Sequence, residues 1–177
     1  LMVQLDMPEW WRIENKCECN SFSQLGEAAL EEKWVNDACD YFKALIRYAE
    51  EKYGDRVFAY GFAAGSSNEW FDQGHGNISD KKAADYRLKT GNPDAVIPTI
   101  EQIYSKALPS LRDDDDPVYN YQKYCADSSP SLVVRFAHAA QEILKHQKII
   151  GLFFGYSGLP YHWQNRLGTN GYEKVWA

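Results

Sequence analysis

The run Arg56-Val-Phe-Ala-Tyr-Gly-Phe-Ala-Ala64 constrains this chain more than any other segment. It is short, nearly all apolar and rich in aromatic residues, the pattern of a strand buried on both faces of a parallel sheet. A parallel neighbour needs a crossover, and the preceding residues supply one. From about Ala28 to Tyr53, Leu30, Trp34, Ala38, Tyr41, Leu45, Tyr48 and Ala49 recur at three- and four-residue spacing, with Gly54 as a C-cap. Before that helix, Leu1 to Leu5 reads as a strand ended by Asp6-Met7-Pro8, and a loop bearing Glu9, Trp10 and Trp11 follows. Strand, helix and strand make a βαβ unit.

The same alternation resumes further on. Residues of about 72–116 break into loop signals (Gly74, Gly76, Asn77, Gly91-Asn92-Pro93) around short helical pieces at Lys81 to Thr90 and Val96 to Ala107, an insertion on one side of the sheet. Asp116-Pro117 reads as an N-cap with proline at the first helical position, opening a helical region to about His146. Pro130 interrupts it as a kink or as the restart of a second helix. Lys148 to Gly155 is the third buried strand.

Composition narrows the function classes. With 177 residues and 45% hydrophobic content the chain can bury a core and is expected to form one domain. A formal charge of -6 without a Lys/Arg cluster argues against nucleic acid, and no apolar run approaches the roughly 18–20 residues that cross a bilayer. The cysteines Cys17, Cys19, Cys39 and Cys125 lack paired CxxC spacing, so they read as reduced structural thiols, with no metal expected. Asp113 to Asp116 lacks the alternating ligands and turn glycine of a calcium loop, and no G-x-S-x-G elbow is present. No signal peptide precedes the first strand, which favours the cytoplasm while leaving the compartment open.

Unfinished βα units with apolar strands mean α/β architecture, either a doubly wound sheet or a (β/α)8 barrel. No phosphate-binding glycine turn follows any strand. Polar and aromatic residues instead collect after all three: Asp6, Trp10 and Trp11; Asn68, Glu69 and Trp70; Tyr156, Ser157, Tyr161, His162 and Trp163. In a barrel those strand ends share the face that carries active sites.

Leu5-Asp6-Met7-Pro8-Glu9-Trp10-Trp11, Glu32-Lys33-Trp34, Tyr53-Gly54-Asp55-Arg56-Val57, Ala63-Ala64-Gly65 leading to Glu69-Trp70-Phe71, and Arg135-Phe136-Ala137 with Gly155-Tyr156 together resemble the central barrel of β-galactosidase-like glycoside hydrolases related to family 42. The resemblance covers nearly the whole chain and implies a partial TIM barrel, roughly strands three to five of eight, with a long insertion after the fourth. It implies a retaining hydrolase of a terminal sugar such as a β-galactoside, with no cofactor. In that resemblance Glu69 is the acid/base and Asn68 the partner of the sugar 2-hydroxyl. Trp70, Asp6, Trp10, Tyr156 and His162 are candidate substrate contacts.

Protonating a leaving alkoxide needs a carboxyl that keeps its proton near neutral pH, and an apolar shell such as Trp70 and Phe71 would raise its pKa. The retaining mechanism also needs a second carboxylate about 5–5.5 Å away. The resemblance places that nucleophile beyond Ala177, and Asp6, Glu9, Asp72 and Glu173 do not match it. The competing reading is a carbohydrate-binding or structural barrel protein without turnover. His75 reads as an exposed loop histidine, and the adjacent Trp10 and Trp11 cannot easily both face one ligand. Exposed edges of a partial barrel predict homo-oligomers or other association through those edges.

Overall fold

The computed structural model describes residues 1–65, 70, 78–99, 101–102 and 116–152. Three short strands, β1 (Met2–Gln4), β2 (Ala59–Ala63) and β3 (Ile149–Leu152), form a parallel sheet whose spatial order follows the chain. Val3 pairs with Phe62, Tyr60 with Ile150 and Phe62 with Leu152. Side chains alternate across a strand, so Val3, Tyr60, Phe62, Ile150 and Leu152 share one face. The protein is therefore mixed α/β, as its pattern of strands and helices implies.

The long crossover helices lie on that face. Helix α3 (Glu32–Tyr53) buries Trp34, Val35, Ala38, Phe42, Ile46 and Ala49, one stripe at helical spacing. Phe42 meets Phe62 with ring centroids 5.5 Å apart, and Phe136 of helix α5 (Pro117–Leu144) meets the same ring edge-on at 6.4 Å. Arg135 fastens the two helices, its guanidinium donating to both Glu32 oxygens (2.7 and 2.8 Å) and to Asn36 Oδ1 at 3.0 Å. The opposite sheet face is built differently. Ala59, Gly61 and Ala63 are its small β2 residues, Met2 lies over Gly61, and Met2 and Ile149 stay more than half exposed. Burial of β2 on both faces was the expectation, but only Ala63 on this second face is buried, because the alternation of large and small residues directs both large rings to the helices.

Two elements differ from the sequence reading. Residues Glu9–Asn15 form helix α1 rather than a loop: Pro8 takes the N-cap with φ -68°, accepts Arg12 N–H at 3.1 Å, and Glu9 pairs with Arg12 at 2.6 Å. A proline at a helix start loses nothing, since its missing N–H has no intrahelical acceptor there. The reading from Ala28 onward as one helix also fails. A short helix α2 (Leu25–Ala28) is separated from α3 by a turn through residues 29–31. Gly54 does follow α3, with right-handed dihedrals.

Beyond β2, helix α4 (Asp80–Thr90) matches the expected Lys81 to Thr90 piece and is capped by Ser79, whose hydroxyl accepts Lys82 N–H at 3.0 Å. Of the expected 96–107 helix, residues 96–99 are not helical, 101–102 are helical, and 100 and 103–107 lie outside the described residues. Helix α5 begins as read: Asp116 Oδ1 accepts Val118 N–H at 2.8 Å and proline occupies the first turn. Pro130 lies inside one continuous helix. It offers no N–H to the carbonyl of residue 126, and the hydroxyls of Ser128 and Ser131 donate to the adjacent carbonyls of Cys125 (2.7 Å) and Asp127 (3.0 Å). Near this point the helix changes partner. Val118, Tyr121, Tyr124 and Cys125 join Tyr86 of α4 in a small aromatic core, whereas Leu132, Val133, Phe136 and Ala140 join α3 and the sheet.

Candidate functional site

The end of β2 is tied to the end of β1 by Asp6. Its Oδ1 accepts Gly65 N–H at 3.0 Å and the Ser21 hydroxyl at 2.9 Å, while Oδ2 accepts Gln4 Nε2. The Ser21 oxygen in turn accepts Met7 N–H at 2.6 Å. Both Asp6 oxygens are thus occupied in holding the strand ends and the β1–α1 turn. These bonds give Asp6 a structural task at the strand ends.

Trp70 is the next described residue after Gly65. Its backbone N–H reaches back to Ala64 O at 3.4 Å, and its indole N–H donates to Phe62 O at 3.0 Å. The ring is fully buried, with centroids 5.4 Å from Phe62 and 5.6 Å from Phe136. The ring of Trp70, a candidate substrate contact in the sequence, is thus taken up by the aromatic core. Trp70 also sits at φ 53°, a left-handed conformation unusual for a large side chain. Asn68 and Glu69, which precede it, and Tyr156 and His162 all lie outside the described residues.

Trp10 behaves as a surface aromatic, 64% exposed, while neighbouring Trp11 is buried. The indole N–H of Trp11 donates to Asp37 Oδ2 at 2.7 Å, and Lys33 meets the same oxygen at 2.6 Å. These bonds, the Lys33 one foremost, hold the Asp37 carboxyl below its ordinary range. Trp10 and Asp6 come together beside a cavity of about 370 Å³, whose wall also includes Leu5, Trp34, Asp37 and Tyr41. Aromatic faces beside carboxylates suit a hydroxyl-rich ligand. Tyr41 and Asp37 were not singled out from the sequence as site residues. Their signal is helical spacing: they are four residues apart on α3, so both reach one wall.

A separate cluster lies between α1 and α3. Cys17 and Cys19 place their sulfurs 3.5 Å apart, and a Glu31 carboxylate oxygen lies within 4.8 Å of both. Burial first, and then the Cys17 thiol beside it, push the Cys19 thiol above its ordinary pKa. The Cys-x-Cys spacing alone is a weak signal, and Glu31 adds the third group only through the fold.

Comparison with protein-family models, with curated proteins and with solved structures finds no match to this chain. Among the described residues no helix is long and apolar enough to cross a membrane.

Proposed function

We propose that this chain is the central part of a (β/α)8 barrel in a retaining glycoside hydrolase of the β-galactosidase-like type, with Glu69 as acid/base and Asn68 as the partner of the sugar 2-hydroxyl. The observation that supports it most is the sheet itself. Three parallel strands stand in chain order with their long crossover helices on one side, the arrangement of an arc of a barrel, where catalytic groups belong at the C-terminal strand ends. Both described flanks of the Asn68-Glu69 pair, Gly65 and Trp70, are hydrogen-bonded at that end of β2 or just beyond it.

In this reading the nucleophile is the second carboxylate that the resemblance assigns to a later strand. Asp6 does not supply it, since both of its oxygens already hold Gly65, Ser21 and Gln4. That engagement also favours the second reading, a barrel that binds carbohydrate without turnover.

Assay of the full-length parent and its Glu69→Gln form on a panel of aryl glycosides tests the assignment. Loss of turnover on substrates with poor leaving groups, with smaller loss on activated ones, is the outcome expected of an acid/base. Unchanged turnover on every accepted substrate would remove Glu69 from the role. Saturable sugar binding without turnover in the parent would select the binding reading.

A further inference from the structure

We propose that Cys17, Cys19 and Glu31 form a binding site for one zinc-class divalent ion. The two half-buried sulfurs stand 3.5 Å apart, too far for a disulfide. Two thiolates about 2.3 Å from a tetrahedral zinc stand about 3.8 Å from each other. An ion therefore needs the sulfurs to separate by only about 0.3 Å. A carboxylate oxygen within 4.8 Å of both sulfurs stands near the third corner. A fourth position remains for water, the pattern of an open rather than a closed zinc site.

The loop that carries the thiols is held before any ion arrives. Lys16 ends α1 in the left-handed conformation, and Cys17 N–H bonds Arg12 O at 2.9 Å. The Arg12 guanidinium then donates to the carbonyls of Cys19 (2.8 Å) and Glu18 (3.2 Å), while Glu9 steadies it from the other side at 2.6 Å. Glu31 is fixed independently at the start of α3 and meets Lys81 through Oε1 at 3.0 Å. Lys81 offsets the charge left over when two thiolates and a carboxylate surround a dication. Two thiol protons leave as the ion enters, and no electron is transferred. Soft sulfur ligands select zinc over magnesium or calcium.

The test is titration of the reduced, metal-free, full-length protein with Co(II), followed by competition with Zn(II). One cobalt per chain is expected, with thiolate-to-cobalt charge-transfer absorption that one equivalent of zinc abolishes. Cys17→Ser and Cys19→Ser should each weaken binding about a hundredfold, Glu31→Gln about tenfold, and Cys39→Ser not at all. Because the wild-type spectrum is read first, a variant that fails to fold does not decide the matter. The proposal is overturned if wild-type protein shows no thiolate-to-cobalt band, if the band survives in folded Cys17→Ser and Cys19→Ser proteins, or if Cys39→Ser removes it.

Discussion

Trp70→Phe should destabilise the fold by about 2–4 kcal/mol without changing the shape of the unfolding transition. The indole N–H is the donor to Phe62 O, 3.0 Å away, in a fully buried setting. Removing it leaves that carbonyl short of a partner, which costs about 1–3 kcal/mol. The smaller ring also leaves a void among Phe62 and Phe136, adding about 1 kcal/mol. Phenylalanine keeps the left-handed backbone at this position as unfavourable as before, so the change isolates the side chain. Equilibrium urea unfolding, followed by far-UV circular dichroism, reads the difference as a lower midpoint at constant slope. A loss below about 1 kcal/mol would refute the buried-anchor argument. So would an unaltered midpoint accompanied by weakened sugar binding, since that pairing belongs to a surface platform.

Asp116→Ala removes the oxygen that accepts Val118 N–H and should lower stability by about 1 kcal/mol, measured by the same unfolding assay; Asp116→Ser should recover most of it. Hydrogen bonds from Arg135 hold the Glu32 carboxyl below its ordinary range, so this contact contributes fully above the unfolded carboxylate pKa and is lost as pH falls through the lower folded value. Unfolding midpoints taken from neutral to acid pH should therefore converge for wild type and Glu32→Gln at the acid end. Since Glu32 is largely exposed, the neutral-pH gap should also shrink in high salt.

Local chemistry was legible in the sequence wherever it sufficed. Asp116-Pro117 marks a helix start because the cap needs only its own side chain and the next two amides. The spacing from Trp34 to Ala49 marks α3 as a helix, but of the expected stripe only Trp34, Ala38 and Ala49 are buried; Tyr41 and Tyr48 are more than half exposed, and Val35, Phe42 and Ile46 complete the buried face. Pro8 was ambiguous, since proline both ends a strand and opens a helix, and the strand-ending role alone led to a loop over what is α1. The burial of Trp70 was not legible, for a different reason. Its position after a strand says nothing about whether the chain turns back under the helices, and that return is fixed by Phe62 O and Phe136. Asp6 shows the same limit: nothing near it in sequence announces that Gly65, fifty-nine positions on, donates to it. The Cys17 and Cys19 pair was visible, but Glu31 is brought to it by the turn between α2 and α3.

Lys148 ties the start of β3 to the approach of β2. Its ammonium group donates to Gly54 O and to Val57 O at 2.5 Å, and meets Glu50 at 3.3 Å, while Glu50 also accepts the Tyr60 hydroxyl at 2.6 Å. These partners all stand at the entrance of β2, whereas Lys148 directly precedes β3. A slip of β3 by one residue would carry the ammonium away from this set of acceptors and turn Ile150 and Leu152 to the wrong face. The lysine thus acts as a proofreading contact for strand alignment: a misaligned sheet forfeits a whole group of charged bonds at once, which steepens the preference for the native pairing.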